Sequence, residues 1–207
     1  MPPSPRRRRG SPAKQRLRVE LDDRLARVPE DEARRAAERL AARVLELPEV
    51  AEASGVLTCL SFGGEIDTWR LAAMLVGAGK EVWVPRSDAA RQALVLHAYP
   101  CELEEISNGL RQPISGAPAL AEEEVDGRVD VALVLGLGFD RGGYRLGRGK
   151  GYFDRFLAGR SFSTVGLAFD FQLVDRLPRS RHDVPMRAIA TDQQLLRRRR
   201  RRGRSAW

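Results

Sequence analysis

The sequence lacks the marks of secreted and membrane proteins. Its 207 residues include two cysteines, Cys59 and Cys101, which lie far apart and form no CxxC motif. We therefore expect two reduced thiols rather than a disulfide or a metal-binding pair. No apolar run approaches the roughly 20 residues that a membrane span requires. No apolar segment follows the basic start of the chain, which argues against a secretory signal. These absences predict a cytoplasmic protein with no membrane partner.

Acidic residues are missing from both ends of the chain. Residues 1–13 hold four arginines and residues 195–207 hold seven, with no acid in either stretch. The remaining 25 cationic residues face 28 acidic ones, so the middle of the chain has a net charge of −3. Like-charge runs are usually disordered, and we predict disordered basic tails over 1–13 and 195–207. These tails are either incidental solvated charge or weak, non-specific binders of nucleic acid.

Between the tails, helical and strand patterns alternate over what we predict to be one domain, residues 14–194. Apolar spacing predicts helices over 17–28, 33–47, 69–76 and 154–157, and short apolar runs predict strands over 56–60, 82–84, 93–96, 131–135 and 164–169. Such alternation indicates an α/β fold whose mostly parallel sheet is covered on both faces. Residues 107–127, rich in proline and glycine, are predicted to form a long loop that could cover a site.

A glycine-rich segment with three cations follows the predicted strand 131–135. Gly147, Gly149 and Gly151 stand at alternate positions, which lets the backbone approach a phosphate without Cβ atoms in the way. The cations are Arg145, Arg148 and Lys150. The spacing fits neither the Walker A motif nor the dinucleotide motif. By composition alone the segment is either a phosphate-binding loop at a helix start or a charged surface turn.

Several blocks resemble, in order, the 5-formyltetrahydrofolate cyclo-ligase family, also called 5,10-methenyltetrahydrofolate synthetase. They are Lys14-Gln15-Arg16-Leu17-Arg18, Glu65-Ile66-Asp67-Thr68, Val82-Trp83-Val84-Pro85-Arg86, the segment from Gly138 to Asp154, Val165-Gly166-Leu167-Ala168-Phe169, Gln172 and His182-Asp183. The likeness spans roughly residues 14 to 193. It implies a three-layer, Rossmann-like fold of the CoA-transferase kind, with ligands bound at the carboxyl ends of the strands.

The resemblance also implies a reaction. 5-Formyltetrahydrofolate and MgATP would give 5,10-methenyltetrahydrofolate, ADP and phosphate. Because the formyl oxygen is a poor leaving group, it would first be phosphorylated and then displaced by N10 of the same folate. The implied partners are a reduced folate, ATP as co-substrate and Mg²⁺, and the protein is expected to be a monomer.

Site residues are carried over by position. The resemblance implies catalytic roles for Arg145, Arg148 and Lys150. ATP binding is implied for Lys14, Arg18, Arg145, Leu146, Gly147, Arg148, Gly149, Lys150, Gly151, Tyr152 and Phe153. Folate binding is implied for Leu60, Glu65 and Tyr152, and metal binding for Asp154 and Asp183. The chain departs from the family pattern at Ser87, Gln112, Gly136 and Phe153, none of them a predicted phosphate cation or metal ligand.

Each of these roles has an alternative that the residues alone leave open. Leu60 is equally typical of a core position, Glu65 of a residue before a helix, and Lys14 and Arg18 of a charged helix face. His182 is predicted to position Asp183 rather than to act as a base. Two other functions also remain open: a nucleic-acid-binding protein that keeps this fold and uses its arginine-rich tails, and an enzyme that phosphorylates another N-acyl substrate.

Overall fold

A computed structural model describes residues 11–107 and 109–198. The helices are α1 (Pro12–Leu25), α2 (Glu30–Leu45), α3 (Pro48–Ala51), α4 (Trp69–Gly77), α5 (Val125–Arg128) and α6 (Tyr152–Leu157). The strands are β1 (Gly55–Thr58), β2 (Glu81–Asp88), β3 (Ala93–Tyr99), β4 (Leu103–Ser107), β5 (Leu110–Pro113), β6 (Val131–Leu135), β7 (Gly138–Asp140), β8 (Arg145–Leu146), β9 (Ser163–Ala168), β10 (Leu173–Val174), β11 (Ala188–Thr191) and β12 (Leu195–Arg197). No helix among the described residues is long and apolar enough to cross a membrane.

A seven-stranded sheet organises the molecule, with strand order β12-β11-β9-β6-β1-β2-β3. The inner pairings β2–β1, β1–β6, β6–β9 and β9–β11 are parallel, and the outer pairings β2–β3 and β11–β12 are antiparallel. Every residue of β1 and β6 is buried, as continuous apolar strands between two helical layers require. The predicted three-layer α/β fold with a mostly parallel sheet is confirmed.

Two apolar clusters fill the space on either side of this sheet. One holds the inner faces of α2 and α4, including Leu40, Val44 and Leu75. The other gathers Phe139, Phe156 and neighbours from α5 and α6. Residues three and four apart along α2 form its buried face, as the helical spacing predicted. The helical layers therefore fix the sheet, and the loops at its carboxyl edge are free to carry polar groups.

The strand order reverses beside β1. The chain runs from β1 to β2 on one side, and later from β6 to β9 and β11 on the other. At such a switch point the loops after the two central strands diverge and leave a crevice, which is where open α/β sheets bind ligands. The segments that follow β1 and β6 therefore face a common space.

The predicted C-terminal boundary is wrong. Leu195–Arg197, assigned to a disordered tail, forms β12, which pairs with the buried strand β11. Arg197 also makes a bidentate ion pair with Glu49, with N–O distances of 2.8 and 2.9 Å. The arginine run misled the prediction because an edge strand needs only one buried face. At the other end, α1 already begins at Pro12, and the rest of the predicted tails lies outside the described residues.

The predicted long loop 107–127 is also wrong in part. The strands β4 and β5 form an antiparallel hairpin, and a short 3-10 helix over Glu122–Glu124 leads into α5. Arg86 of β2 anchors this hairpin through a 2.7 Å ion pair to Glu104 and a hydrogen bond to the Pro113 carbonyl. The hairpin thus stands beside the carboxyl end of β2 as one wall of the crevice.

Candidate functional site

A cleft of about 1140 Å³ opens at the switch point. Its floor consists of Cys59 and Leu60 after β1, Pro85 near the end of β2, and residues 135–137 at the end of β6. All fifteen predicted site residues border it. The structure therefore brings together side chains from α1, from the β1–α4 loop, from the glycine-rich segment and from the loop before β11.

Helix α1 lies over the glycine-rich segment because its apolar face is buried there. Leu21 packs with Leu146 and Leu177 in a small apolar cluster. Lys14 and Arg18 lie one helical turn apart on α1, and both border the cleft. Arg18 Nε donates a 2.8 Å hydrogen bond to the carbonyl of Gly147. This contact ties the helix to the backbone of the predicted phosphate loop.

The glycines of the loop are required by its conformation. Gly149 and Gly151 have φ values of 103° and 66°, a left-handed region that costs other residues about 1–2 kcal/mol. At Gly147 the φ is ordinary, but a Cβ would lie 3.1 Å from Nη1 of Arg145. The guanidinium groups of Arg145, Arg18 and Arg155 stand close to Gly147, Gly149 and Gly151 respectively, so the loop combines a backbone free of Cβ atoms with nearby cations, as an anion site needs.

Arg145 is the buried cation of the site. Its side chain is only 5% exposed, with Nη2 3.6 Å from Asp154 Oδ1 and its guanidinium 5.2 Å from the centre of the Phe153 ring. Burial lowers the pKa of this guanidinium, and the nearby Asp154 carboxylate opposes the shift. Its Nε is buried and has no hydrogen-bond partner among the described residues. An unpaired donor of this kind at the floor of a cleft is suited to an anionic ligand.

Arg148 is bound by other protein groups. Its Nε and Nη2 donate to Glu65 Oε1 at 3.3 and 3.1 Å, and Nη1 lies 3.3 Å from Asp22 Oδ1. The guanidinium also stands over the Phe62 ring, 4.5 Å from its centre. A residue predicted to bind phosphate is thus paired here with Glu65, which is predicted to bind the folate. Nothing in the spacing of Glu65 and Arg148 along the chain indicates this pairing.

Glu65 is held over the cleft by the β1–α4 loop. Thr68 closes this loop, because its hydroxyl donates to the Cys59 carbonyl at 2.6 Å and accepts from Ser61 N at 2.9 Å. The Glu65 side chain is 8% exposed. Burial raises the pKa of its carboxyl, and the charge of Arg148 offsets the shift only in part. Glu65 is therefore a buried acceptor that can receive N–H donors from a ligand.

The two predicted metal ligands border the same cleft. Asp183 Oδ2 accepts from Lys14 Nζ and from Ser180 N, each at 2.7 Å. Partial burial would raise the pKa of Asp183, but these hydrogen bonds outweigh it and the pKa is lowered. Asp154 Oδ1 accepts a 3.3 Å hydrogen bond from the backbone N–H of Val184, the residue that follows Asp183. Among the described residues no group of three His, Cys, Asp or Glu side chains could enclose a metal.

The remaining predicted residues differ in exposure. Lys150 is exposed and has no ion-pair partner within the described ranges. Tyr152 is half-buried, with the Arg155 guanidinium 5.3 Å from its ring centre. Leu60 borders the cleft and also packs in a core cluster with Ala72 and Val84, so it occupies a core position, and its contact with folate stays a prediction. His182 is exposed next to Asp183.

Three residues near the cleft were assigned no role by the sequence analysis. Asp22 and Phe62 contact Arg148. Asp140, fully buried, accepts hydrogen bonds from Gly142 N, Tyr144 N, Leu177 N and Arg179 Nη2, and so joins the glycine-rich segment to the loop before β11. Two departures from the family pattern also contact each other, because Ser87 N and Oγ both donate to Gln112 Oε1. Two of the three had a signal in the sequence: Asp22 lies one helical turn beyond Arg18, and Asp140 lies within the block that resembles the family.

The fold and the cleft together define a class: a Rossmann-like α/β protein with a cationic, glycine-rich segment at its switch point. Comparison with known proteins identifies the family. The model of the 5-formyltetrahydrofolate cyclo-ligase family matches residues 10–192. The chain belongs to this family.

Individual relatives agree. The chain is 35% identical to 5-formyltetrahydrofolate cyclo-ligase of Escherichia coli K12 over 165 residues, 76% of this chain and 88% of the relative. It is 29% identical to the mouse enzyme of the same name over 185 residues, 83% of this chain and 90% of that one. The solved structure of Aquifex aeolicus 5,10-methenyltetrahydrofolate synthetase superposes with a TM-score of 0.77 at 31% identity, covering 94% of this chain and 96% of that chain.

Proposed function

We propose that the protein converts 5-formyltetrahydrofolate to 5,10-methenyltetrahydrofolate, with MgATP consumed and ADP and phosphate released. The observation that carries this proposal is the convergence of the five predicted phosphate-binding cations on one cleft, which also holds a buried carboxylate and two further aspartates. The cations are Lys14, Arg18, Arg145, Arg148 and Lys150. The cleft lies within the residues matched by the family model.

The cations and the glycine backbone would bind the triphosphate. Arg145 offers an unpaired buried donor, and Lys150 is an exposed ammonium at the tip of the loop. Fixed charges and N–H groups placed around a phosphoryl group stabilise the charge that its transfer spreads over the equatorial oxygens. Lys14 and Arg18 would approach the phosphates from the α1 side. Their fixed positions depend on the burial of Leu21 beneath them.

Asp154 and Asp183 fit a magnesium ion. Carboxylate oxygens are the protein ligands that Mg²⁺ prefers, and it usually takes one or two of them together with phosphate oxygens and water. Asp154 and Asp183 supply two such carboxylates on the cleft. A bound Mg²⁺ would neutralise phosphate charge. Lys14, now on Asp183, would remain close enough to share the same anionic neighbours.

The folate would lie on the side of Glu65. A buried carboxylate is complementary to the amino and ring N–H donors of a pterin. Leu60 and the ring of Tyr152 would contact its apolar faces. With the formyl oxygen held against the phosphate loop, phosphorylation makes it a leaving group. N10 then attacks the formyl carbon, phosphate leaves and the ring closes. Because both reacting nitrogens belong to one molecule, a fixed pose gives this step a high effective molarity.

The test is a direct assay of the reaction. Purified protein is mixed with 5-formyltetrahydrofolate, ATP and Mg²⁺, and the near-ultraviolet absorbance of the methenyl product is followed with time. Matched reactions omit one component each. We expect a rise only when all three are present. ATP binding without any rise would instead indicate phosphorylation of another N-acyl substrate, and a panel of formamides and folates would then identify it.

A further inference from the structure

The guanidinium of Arg148 is enclosed by groups other than phosphate. Glu65 accepts from two of its nitrogens, Asp22 from the third, and the Phe62 ring lies beneath its plane. Its side chain remains 41% exposed, whereas that of Glu65 is only 8% exposed. Arg148 therefore supplies the counter-charge of a buried carboxylate, and that carboxylate would lose its partner if Arg148 moved away alone.

The two proposed substrates need the two members of this pair separately. Under the proposed function, on which this inference rests, phosphates require Arg148 and the pterin N–H donors require Glu65 Oε1, the atom that Arg148 now occupies. Neither ligand can make its full set of contacts while the pair is intact. Whichever ligand binds first must separate Arg148 from Glu65. The second ligand then binds to the member of the pair that the first has left without a partner.

We infer that the Arg148–Glu65 pair, assisted by Asp22, couples the nucleotide and folate sites so that each substrate strengthens binding of the other. A protein whose competent state is only partly populated binds each ligand more weakly by that fraction, and the first ligand removes the deficit for the second. The coupling is reciprocal, since the same separation is shared by both ligands. Asp22 acts here as a positioning residue, through Arg148.

Asp22 provides a clean way to change this coupling. It is exposed on α1 and does not border the cleft. Its ion pair is with Arg148, and it is paired neither with the backbone of the glycine-rich loop nor with Glu65. An exposed ion pair of this kind contributes little, so its removal leaves the fold intact. Asp22→Asn keeps the size of the side chain and removes the charge that favours the held position of Arg148. The competent state of the free protein then becomes more populated.

The experiment measures the Kd of an ATP analogue with an imido bridge between the β and γ phosphorus atoms, which cannot transfer its phosphoryl group. Titration calorimetry is run with and without saturating 5-formyltetrahydrofolate. For the wild type we expect folate to tighten nucleotide binding. For Asp22→Asn we expect binding without folate to be tighter than wild type by about twofold to fivefold, binding with folate to be unchanged, and the coupling factor to fall correspondingly.

The matched control is Asp23→Asn. Asp23 is the next residue of the same helix, is exposed, and has no ion-pair partner among the described residues. It should behave as wild type, and Asp22→Glu, which keeps the charge, should restore most of the coupling. In turnover, Asp22→Asn should lower the KM for ATP measured at low folate and leave kcat near wild type. A purely structural role would not produce this split.

Two outcomes would overturn the inference while the proposed function stands: both ligands bind but with a coupling factor of one, or Asp22→Asn and Asp23→Asn give the same values. If the wild type binds nucleotide but no folate, and shows no absorbance rise in the assay above, the proposed function fails and the inference fails with it.

Discussion

At the scale of single residues, the two arginines of the glycine-rich loop have opposite environments. Arg145 is buried beneath the loop with an unpaired Nε, whereas Arg148 is half-exposed and engaged by two carboxylates. The same side chain type is thus a buried group below the loop in one position and a half-exposed ion-pair partner in the other. Sequence alone assigned both to phosphate, because spacing in a loop does not tell which guanidinium finds a protein partner.

Lys150 should carry a large part of the phosphate stabilisation. Lys150→Ala is expected to lower kcat by about 10²–10³-fold, the cost typical of one preorganised group at a developing charge, with little change in the melting temperature because Lys150 is exposed. Steady-state kinetics with ATP and 5-formyltetrahydrofolate measure the loss. Arg141→Ala, an exposed cation of the preceding turn that does not border the cleft, is the control. Near-normal activity of Lys150→Ala would contradict the proposed role of the loop.

The buried carboxylate of Glu65 is expected to lower the free energy of unfolding at neutral pH. Burial raises the pKa of its carboxyl in the folded protein. Such a group contributes stability that is full below its unfolded pKa of about 4.3 and is lost as pH rises through the folded pKa. The neutral isostere Glu65→Gln should therefore gain stability relative to wild type between pH 4 and pH 7.5, and should bind folate more weakly.

Urea unfolding of the ligand-free proteins at the two pH values measures this difference. The exposed Glu46→Gln corrects for general effects of removing a glutamate. A relative stability of Glu65→Gln that falls with rising pH would show that the ion pair with Arg148 outweighs burial.

At the scale of elements, the segment from β7 to α6 combines conformations that only glycine adopts readily with contacts made elsewhere in the chain. Gly149 and Gly151 have positive φ, and Asp140 fixes the preceding turn through two of its backbone N–H groups, those of Gly142 and Tyr144. The glycine spacing predicted the loop from the sequence. The role of Asp140 was not predictable, because two of its partners, Leu177 and Arg179, lie more than thirty residues away.

A pair of glycine substitutions separates strain from ligand binding. Gly149 and Gly159 have φ values of 103° and 82°, respectively. Replacing either by alanine adds a Cβ in this left-handed region and should lower the free energy of unfolding by about 1–2 kcal/mol. Gly159 does not border the cleft. We expect similar falls in the free energy of unfolding, but a loss of nucleotide affinity only for Gly149→Ala. Calorimetric titration with the ATP analogue checks this, and equal affinities in the two variants would argue against the loop as the phosphate site.

The β4–β5 hairpin is the element that sequence reasoning missed although a local signal was present. The pair Asn108-Gly109 stands between two stretches that became strands, and Asn-Gly is the strongest short-range indication of a hairpin turn. Gly109 has the positive φ that such a turn needs. The prolines and glycines further along the segment suggested a loop and concealed this pattern.

At the scale of the whole molecule, the last described strand changes where the domain ends. β12 covers the edge of β11, whose four residues are all buried. Arg197 of β12 also forms an ion pair with Glu49 of α3. The arginine-rich stretch is therefore divided: its first residues complete the sheet, and those after Arg198 lie outside the described part of the chain.

Two truncations test this boundary. Ending the chain after Arg198 should leave the melting temperature within about 1 °C, whereas ending it after Gln194 should lower it by about 5 °C or more, since several kcal/mol of burial and pairing are lost. Differential scanning calorimetry gives both values. If the two truncations melt alike, β12 contributes nothing and the domain ends at 194 as the sequence first indicated.

A third variant, truncated at both ends, tests the nucleic-acid alternative. With residues 1–10 and 199–207 removed, the protein should keep its turnover and lose any salt-dependent affinity for single-stranded RNA. Loss of turnover together with the tails would favour a function that depends on the arginines.

The sequence by itself determined the layers and the reaction class of this protein. Apolar runs and helical spacing are local patterns, so they located most inner strands and the main helices, and the glycine-rich block identified the family. Only the tertiary structure decided which charges meet. Lys14 with Asp183, Arg148 with Glu65 and Asp22, and β12 with β11 join residues that the fold brings together from distant parts of the chain or from opposite sides of the cleft. Such pairs depend on the packing of Leu21 of α1 against Leu146 and Leu177 and on the strand order at the switch point. No local pattern encodes either of these.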